Sequence, residues 1–152
     1  MQVWDKFKRL WKHYIFQSFL AGLAMFIIVL VFGREKVVII ASMGATAFIC
    51  FAMPTGISAQ RGHVIGGHLV GLVCGAIFTF TVLPYYVEFS LAVTLAIFLM
   101  AALDVEHPPA AGTALAVAIN EVTLAGAVAV VISAIVLTQC RYYLRNILKD
   151  LV

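Results

Sequence analysis

The amino-acid sequence predicts an all-α fold, a polytopic bundle of membrane helices, and the first observation behind this prediction is composition. Of the 152 residues, 64% are hydrophobic and 11% are charged, and the mean hydropathy is +1.08. Soluble chains typically carry about 25% charged residues. The composition therefore excludes an ordinary soluble enzyme and a disordered chain. It indicates an integral membrane protein whose main partner is the lipid bilayer.

The second observation is a series of six apolar segments separated by short polar breaks. The segments cover residues 14–32, 37–53, 64–83, 89–103, 109–119 and 122–138, and Gly33–Lys36 is predicted to form a tight polar turn. A hydrocarbon core about 30 Å thick needs about 20 helical residues. The second, fourth and fifth segments are therefore short, and short or broken half-helices are expected among them. Six crossings, or four crossings with two re-entrant pieces, both place the two termini on the same side.

The third observation is the distribution of basic residues, which lie mostly near the termini. Residues 1–13 predict an amphipathic helix in the membrane interface, residues 14–143 a membrane domain, and residues 144–152 a basic tail. Basic residues favour the cytoplasmic side, so both termini are expected in the cytoplasm, at the inner (plasma) membrane of a bacterium or archaeon. This distribution gives no indication of nucleic-acid binding.

Two halves of three segments each show a faint internal repeat. Residues 45–47 match residues 112–114, and small residues then recur every four positions in both halves: Gly67, Gly71 and Gly75 in the first, Ala125, Ala129 and Ser133 in the second. Three segments per half predict a 3+3 inverted repeat, which is common in transporters. Chance similarity of apolar segments is the alternative. The small residues predict close helix packing, within the chain or in a homo-oligomer through glycine-rich faces.

The strongest local feature is the pair Pro108-Pro109. Proline is excluded from a helix interior and accepted in its first turn, so a helix of about 17 Å is expected from here to about Ile119. The unpaired amide groups of a helix N-terminus suit an anion. The predicted anion site comprises this helix start and a matching half-helix that opens at Gly44 in the other half; its residues are His107, Pro108, Pro109, Gly112, Thr113, Gly44, Ala45 and Thr46. A break that only makes room for packing is the alternative.

Two histidines complete the predicted site. His68 lies inside an apolar segment, where a polar ring is costly and therefore indicates function. His68 and His107 are expected to donate a hydrogen bond to the anion or to take up a proton; a structural bond to a loop carbonyl is the alternative. Four residues are predicted to gate the site or line its mouth: Gln60, Arg61, Asp104 and Glu106. The two carboxylates complicate an anion site, and they are equally suited to relaying a proton or holding a cation.

The sequence contains no recognisable catalytic motif. Its three cysteines lie in apolar segments without metal-ligand spacing, so neither a disulfide, a metal nor another cofactor is expected. No pair of a nucleophile and a general base stands out in the sequence above what chance would give. The protein is therefore not expected to be an enzyme.

The chain resembles the HPP family of small membrane proteins. The resemblance rests on Gly44-Ala45-Thr46, on Ser58-Ala59-Gln60-Arg61, on Gly66-Gly67-His68, and above all on His107-Pro108-Pro109 followed by Gly112-Thr113. It implies a membrane protein, usually described with four helices, in a family with members associated with nitrite transport. The function expected is a transporter or channel for a small monovalent anion, nitrite first. Transport of another solute or a cation, and a structural role without transport, are the alternatives.

Overall fold

The protein is a bundle of α-helices. The computed structural model describes residues 3–32 and 37–152, and of residues 37–40 it describes the backbone alone. Within this part of the chain there are six α-helices, a single turn of 3₁₀ helix at Ile57–Ala59, and no strand. The α-helices are α1 Val3–Phe32, α2 Val37–Ala52, α3 Arg61–Thr79, α4 Tyr85–Ala102, α5 Pro108–Asn120 and α6 Leu124–Leu144. The predicted all-α fold is confirmed, and the predicted turn at residues 33–36 lies outside the described residues.

Four of the described helices, α1, α3, α4 and α6, are long and apolar enough to cross a membrane. The protein is therefore an integral membrane protein. The other two are short: α2 has 16 residues and α5 has 13, which correspond to about 24 and 20 Å. The prediction of a short fourth segment is wrong. Helix α4 has 18 residues because it begins at Tyr85, directly after Pro84, ahead of the apolar run at Phe89.

Helix α1 is continuous over 30 residues, from Val3 to Phe32. The amphipathic segment predicted for residues 1–13 is therefore not a separate helix in the described part. Its aromatic side chains Trp4, Phe7 and Trp11 are exposed, as expected for groups at a membrane interface. No proline or glycine precedes Gly22 in this helix, so nothing interrupts its backbone at the predicted boundary.

The C-terminal residues, predicted as a basic tail, pack against the bundle. Leu148 and Leu151 are buried, and the amide of Leu151 donates to the carbonyl of Ala52 at 2.8 Å. Tyr14 on α1 donates from its hydroxyl to the carbonyl of Leu151 at 2.7 Å. The start of α1, the end of α2 and the C-terminus therefore share one end of the bundle, hereafter the terminal end.

The glycine-rich face of α3 packs against α5 within the chain. A Cβ atom added at Gly67 would lie 2.7 Å from Cβ of His107, and one added at Gly71 would collide with the carbonyl oxygen of Ala110. Of the two alternatives predicted for this face, packing within the chain is therefore the one present, because α5 covers it. The homo-oligomer itself stays a prediction and needs a different face.

Candidate substrate site

A group of buried polar side chains lies where α2, α3 and α5 meet. Each is at most 6% exposed, and we name them the polar cluster: Ser42, Thr46, His68, His107 and Thr113. The hydrocarbon core of a bilayer contains no water, so polar groups buried at this depth must bind one another, an enclosed water molecule or a ligand. All five members carry neutral hydrogen-bonding groups, and three elements of the chain converge to place them.

His68 lies at the centre of the polar cluster and uses both of its ring nitrogens. Its Nε2 is 2.9 Å from Oγ1 of Thr46 on α2, and its Nδ1 is 2.9 Å from Oγ1 of Thr113 on α5. A buried imidazole whose two nitrogens are paired is fixed in position and orientation. His68 therefore links the two short helices.

His107 binds both the polar cluster and the loop before α3. Its Nε2 lies 3.0 Å from Oγ1 of Thr46, and its Nδ1 lies 2.7 Å from the carbonyl oxygen of Ser58. The rings of His68 and His107 meet edge-on, with centroids 5.0 Å apart. The bond to a loop carbonyl, which was the structural alternative predicted for His107, is therefore present, and its role in a substrate site stays a prediction.

Ser42 is a member of the polar cluster that the sequence analysis missed. Its Oγ lies 2.7 Å from Oγ1 of Thr113 and 2.7 Å from the carbonyl oxygen of Pro109. Residues four apart share one face of a helix, so the spacing between Ser42 and Thr46 was a signal that could have found it. The carbonyl of Ser58 had no such signal, because backbone partners in a loop are not visible in side-chain patterns.

The adjacent glycines of α3 make the space in which His107 sits. A side chain at Gly66 would lie 2.9 Å from the Val105 side chain, and one at Gly67 would meet Cβ of His107 and the carbonyl oxygen of Val105. The distance of 2.9 Å at Gly66 and the distance of 2.7 Å from Gly67 to Cβ of His107 are both too short for a real Cβ contact. The Gly66-Gly67 pair before His68 is therefore required for the close approach of the segment that leads into α5.

The helix starts do not present the amide groups that the sequence analysis expected. Pro108 and Pro109 occupy the first positions of α5 and carry no N–H, and the amide of Ala110 donates to the carbonyl of His107 at 2.8 Å. The prediction that residues 44–46 open a half-helix is wrong, because α2 begins at Val37 and these residues lie in its middle. Side chains, and not helix ends, supply the polar groups.

The other residues predicted for this site lie outside the polar cluster. Ala45, Pro108 and Gly112 are exposed, and Gly44 is partly exposed. Pro109 takes part through its carbonyl oxygen alone. Pro108 lines a cleft of about 360 Å³, together with His107, Glu106 and the apolar side chains of α4. The cleft therefore extends as far as the edge of His107.

The residues predicted for the mouth do not form one group. Arg61 points toward α6, where Nη2 donates to Gln139 at 2.6 Å and the guanidinium stacks 5.0 Å from the Tyr142 ring. Gln60 is exposed and forms the N-cap position of α3. Asp104 and Glu106 lie in the segment between α4 and α5, and Asp104 adopts a left-handed backbone with φ of 54°.

His63 joins the two carboxylates at the terminal end. Its Nδ1 is 3.4 Å from a carboxylate oxygen of Glu106. One ligand atom from each of His63, Asp104 and Glu106 lies within 4.8 Å of the others, and these are residue types that hold metal ions. The sequence predicted no metal site, and the spacing along the chain does not reveal this grouping.

Comparison with protein families identifies the relationship of the chain. The family model described as "HPP, transmembrane region" matches residues 7–150, nearly the whole chain. The chain belongs to the HPP family. The match includes all five members of the polar cluster and confirms the resemblance seen in the sequence. Comparisons of this HPP protein with curated proteins and with solved structures find no match.

Proposed function

We propose that this HPP protein is a transporter or channel for a small monovalent anion, with nitrite as the first candidate, and that it has no enzymatic activity. The observation that carries the proposal is the polar cluster: five neutral hydrogen-bonding side chains buried inside an apolar bundle. Buried polar groups in membrane proteins are costly and mark substrate or ion pathways. The packing of apolar helices against one another does not require polar side chains.

The chemistry of the polar cluster favours a small monovalent anion. Two threonine hydroxyls, a serine hydroxyl and two imidazole N–H groups offer donors without a fixed positive charge. Neutral donors hold a monovalent anion loosely enough to release it, as conduction requires. In the arrangement described above these groups bind one another, so an anion enters by replacing a bond such as Thr46–His68.

The basic residues near the terminal end support a proposal for how the protein is oriented in the membrane. Arg61 and Arg141 bind groups at this end, and the remaining basic residues near it belong to the two chain ends. Because cytoplasmic loops carry an excess of Lys and Arg, we propose that this end, and both termini, face the cytoplasm. We propose the inner membrane of a bacterium or archaeon as the location.

One observation favours a second candidate function, cation transport. His63, Asp104 and Glu106 gather two carboxylates and an imidazole beside His107. A cation passing this group would be attracted, whereas an anion would be repelled unless the carboxylates were neutralised. The polar cluster itself has no carboxylate, and for this reason the anion is the first candidate.

Uptake into proteoliposomes tests the proposed function. The purified chain is reconstituted, and entry of nitrite is compared with entry of other small anions and of cations. The variants Thr46→Val and Thr113→Val remove one hydroxyl each and keep the side-chain shape, and both are expected to lower uptake. Thr138→Val is the matched control, because this buried hydroxyl on α6 binds only carbonyls of its own helix.

The results of these uptake measurements distinguish anion transport, cation transport and a structural role. Anion uptake that falls in Thr46→Val and Thr113→Val but not in Thr138→Val supports the site. If uptake is unchanged when His68 and His107 are both replaced by Ala, the assignment of the polar cluster as the substrate site is wrong. Cation uptake without anion uptake favours the second candidate, and no uptake of any small ion leaves a structural role.

A further inference from the structure

Arg61 points away from the polar cluster, and its side chain meets a second arginine at one aromatic ring. Arg61 is the first residue of α3, and its guanidinium carbon lies 5.0 Å from the centre of the Tyr142 ring on α6. Arg145 directly follows α6 and places its guanidinium carbon 4.5 Å from the centre of the same ring. Two helices therefore bring two positive charges to one tyrosine. We name Arg61 and Arg145 the arginine pair.

Attraction to the Tyr142 ring opposes repulsion within the arginine pair. A guanidinium within about 6 Å of an aromatic ring centre is attracted by the electrons of the ring. The two guanidinium carbons, however, cannot lie farther apart than the sum of their distances to the ring centre, which is close to the screening length of about 10 Å in 0.1 M salt. The two charges therefore repel each other, and an anion bound to both would offset this repulsion.

The described part of the protein does not supply this anion. Across residues 3–32 and 41–152, neither member of the arginine pair forms an ion pair with a carboxylate. Asp150, a carboxylate at the terminal end, binds the amide and the hydroxyl of Thr55. A guanidinium carries five N–H donors. Arg61 uses one of them on Gln139, and Arg145 uses none on an acceptor within the same residues, so most of these donors stay available to a ligand.

The position of the arginine pair determines which anions reach it. Helices α3 and α6 are both long and apolar enough to cross a membrane, and the pair lies at the first residue of α3 and directly after the last residue of α6. The ends of spanning helices lie at the level of the lipid headgroups. Tyr142 and Tyr143 are 44% and 76% exposed there, as is typical of tyrosines at a membrane interface. The anion that surrounds the protein at this level is the phosphate group of lipids.

The same two helices also form an apolar cleft deeper in the membrane. The cleft has a volume of about 290 Å³ and an entirely apolar lining: Leu69, Leu72, Ala127, Val128, Val131 and Ile132. Leu69 lies eight residues after Arg61 on α3, which corresponds to about 12 Å along the helix axis. The acyl chains of one leaflet span about 15 Å. A phospholipid can therefore place its phosphate at the arginine pair and one acyl chain in this cleft, whereas a free phosphate ion would make the first contact alone.

We propose that the arginine pair and Tyr142 form a binding site for the phosphate of an anionic phospholipid. Each guanidinium can donate two parallel N–H bonds to phosphate oxygens, and the Tyr142 ring aligns both guanidiniums for this. Two positive charges favour a lipid with a net negative charge over a zwitterionic lipid, whose amine they repel. This inference goes beyond the proposed function and does not depend on it.

Native mass spectrometry of the full chain in detergent tests the site, because it counts the lipid molecules that stay bound. We expect phosphatidylglycerol, which is anionic, to bind more tightly than phosphatidylcholine, which is zwitterionic. The double variant Arg61→Gln with Arg145→Gln should lower the affinity for phosphatidylglycerol by about tenfold, because its charge-assisted bonds to phosphate are lost. The matched control is Lys8→Gln with Lys12→Gln, which removes two basic charges from α1 and should have a smaller effect.

Tyr142 provides a second test in which every charge is kept. Tyr142→Phe retains the ring, so its affinity for phosphatidylglycerol should equal that of the unmodified chain. Tyr142→Leu removes the ring that aligns the guanidiniums and should lower this affinity by about threefold. Phosphatidylcholine binding and a single peak in size-exclusion chromatography verify that each variant is folded.

Three results would overturn the site. They are equal affinity for the two lipids, equal losses in the arginine variant and the lysine control, and equal affinity of Tyr142→Phe and Tyr142→Leu for phosphatidylglycerol. Soluble glycerol 3-phosphate, added as a competitor, distinguishes a lipid from a free phosphate ester. We expect it to leave phosphatidylglycerol bound, because it has no acyl chain for the cleft. Displacement at equal concentration would overturn the assignment to a lipid.

Discussion

Thr46 and Thr113 bind opposite nitrogens of the same imidazole ring, that of His68, each at a distance of 2.9 Å. These two threonines occupy matching positions in the internal repeat predicted from the sequence, one on α2 and one on α5. The His68 ring therefore joins the two short helices, and a displacement of α2 relative to α5 would change both bonds at once.

Removing either threonine hydroxyl should weaken the fold as well as transport. Thr46→Val leaves one nitrogen of His68 and one of His107 without its threonine partner, and Thr113→Val leaves the other nitrogen of His68 without its partner. We expect a loss of about 1–3 kcal/mol in the free energy of unfolding for each variant. The double variant should lose less than the sum, because both changes release the same ring. Unfolding in detergent measures this, and additive losses would contradict a shared network.

Alanine in place of glycine on α3 should have opposite effects at two positions. Gly67→Ala puts a Cβ 2.7 Å from His107 and should cost about 1–3 kcal/mol, because α5 must move away. Gly62→Ala, on the same helix, meets nothing within 4 Å and should stabilise by up to about 1 kcal/mol through helix propensity. Thermal unfolding of the two variants checks the contrast. Equal effects of the two substitutions would mean that the close packing of α5 against α3 does not limit the stability of the protein.

The sequence was sufficient to predict the helices that depend on local chemistry. Helix α5 begins at Pro108-Pro109, as expected, because proline fits only the first turn. It ends before Glu121, whose left-handed backbone closes the helix. The glycine ladder predicted close packing, but the sequence left its partner open, since the choice between α5 and another subunit depends on tertiary structure.

The members of the polar cluster were predicted in part, but on a different physical basis from the one that the structure shows. His68, His107, Thr46 and Thr113 were selected, and all four are in the polar cluster. They were grouped around helix amide groups, whereas the structure pairs their side chains. Local motifs show where a helix begins, but they do not show that its first two residues lack N–H donors and that the third is already bonded.

The C-terminal segment should detach when its buried anchor on α1 is removed. Gln17 is buried, donates to the carbonyls of Phe51 and Lys149, and accepts from the amide of Lys149 at 3.1 Å. Gln17→Leu removes these bonds, so hydrogen exchange at residues 148–151 should become faster. Ser18→Ala, the exposed neighbour, is the control. Unchanged exchange in Gln17→Leu would show that Leu148 and Leu151 alone hold the segment.

Neutralising the carboxylates at the terminal end distinguishes an anion path from a cation path. The double variant Asp104→Asn with Glu106→Gln removes two negative charges and keeps the side-chain shapes, and asparagine tolerates the left-handed backbone at residue 104. An anion then meets less repulsion, so nitrite uptake should stay equal or rise. Because both carboxylates are exposed and screened, the change should be about 1 kcal/mol or less, at most about a fivefold rate effect.

The control for these carboxylates is Glu88→Gln, which neutralises a residue in the first turn of α4, at the opposite end of that helix from Asp104. Its effect on nitrite uptake should be smaller than that of the double variant. If neutralising Asp104 and Glu106 lowers uptake instead, the carboxylates attract what is carried or pass the proton that accompanies it. Repeating the comparison across a range of pH separates these two cases, since only a proton path becomes less limiting in acid, where protons are abundant.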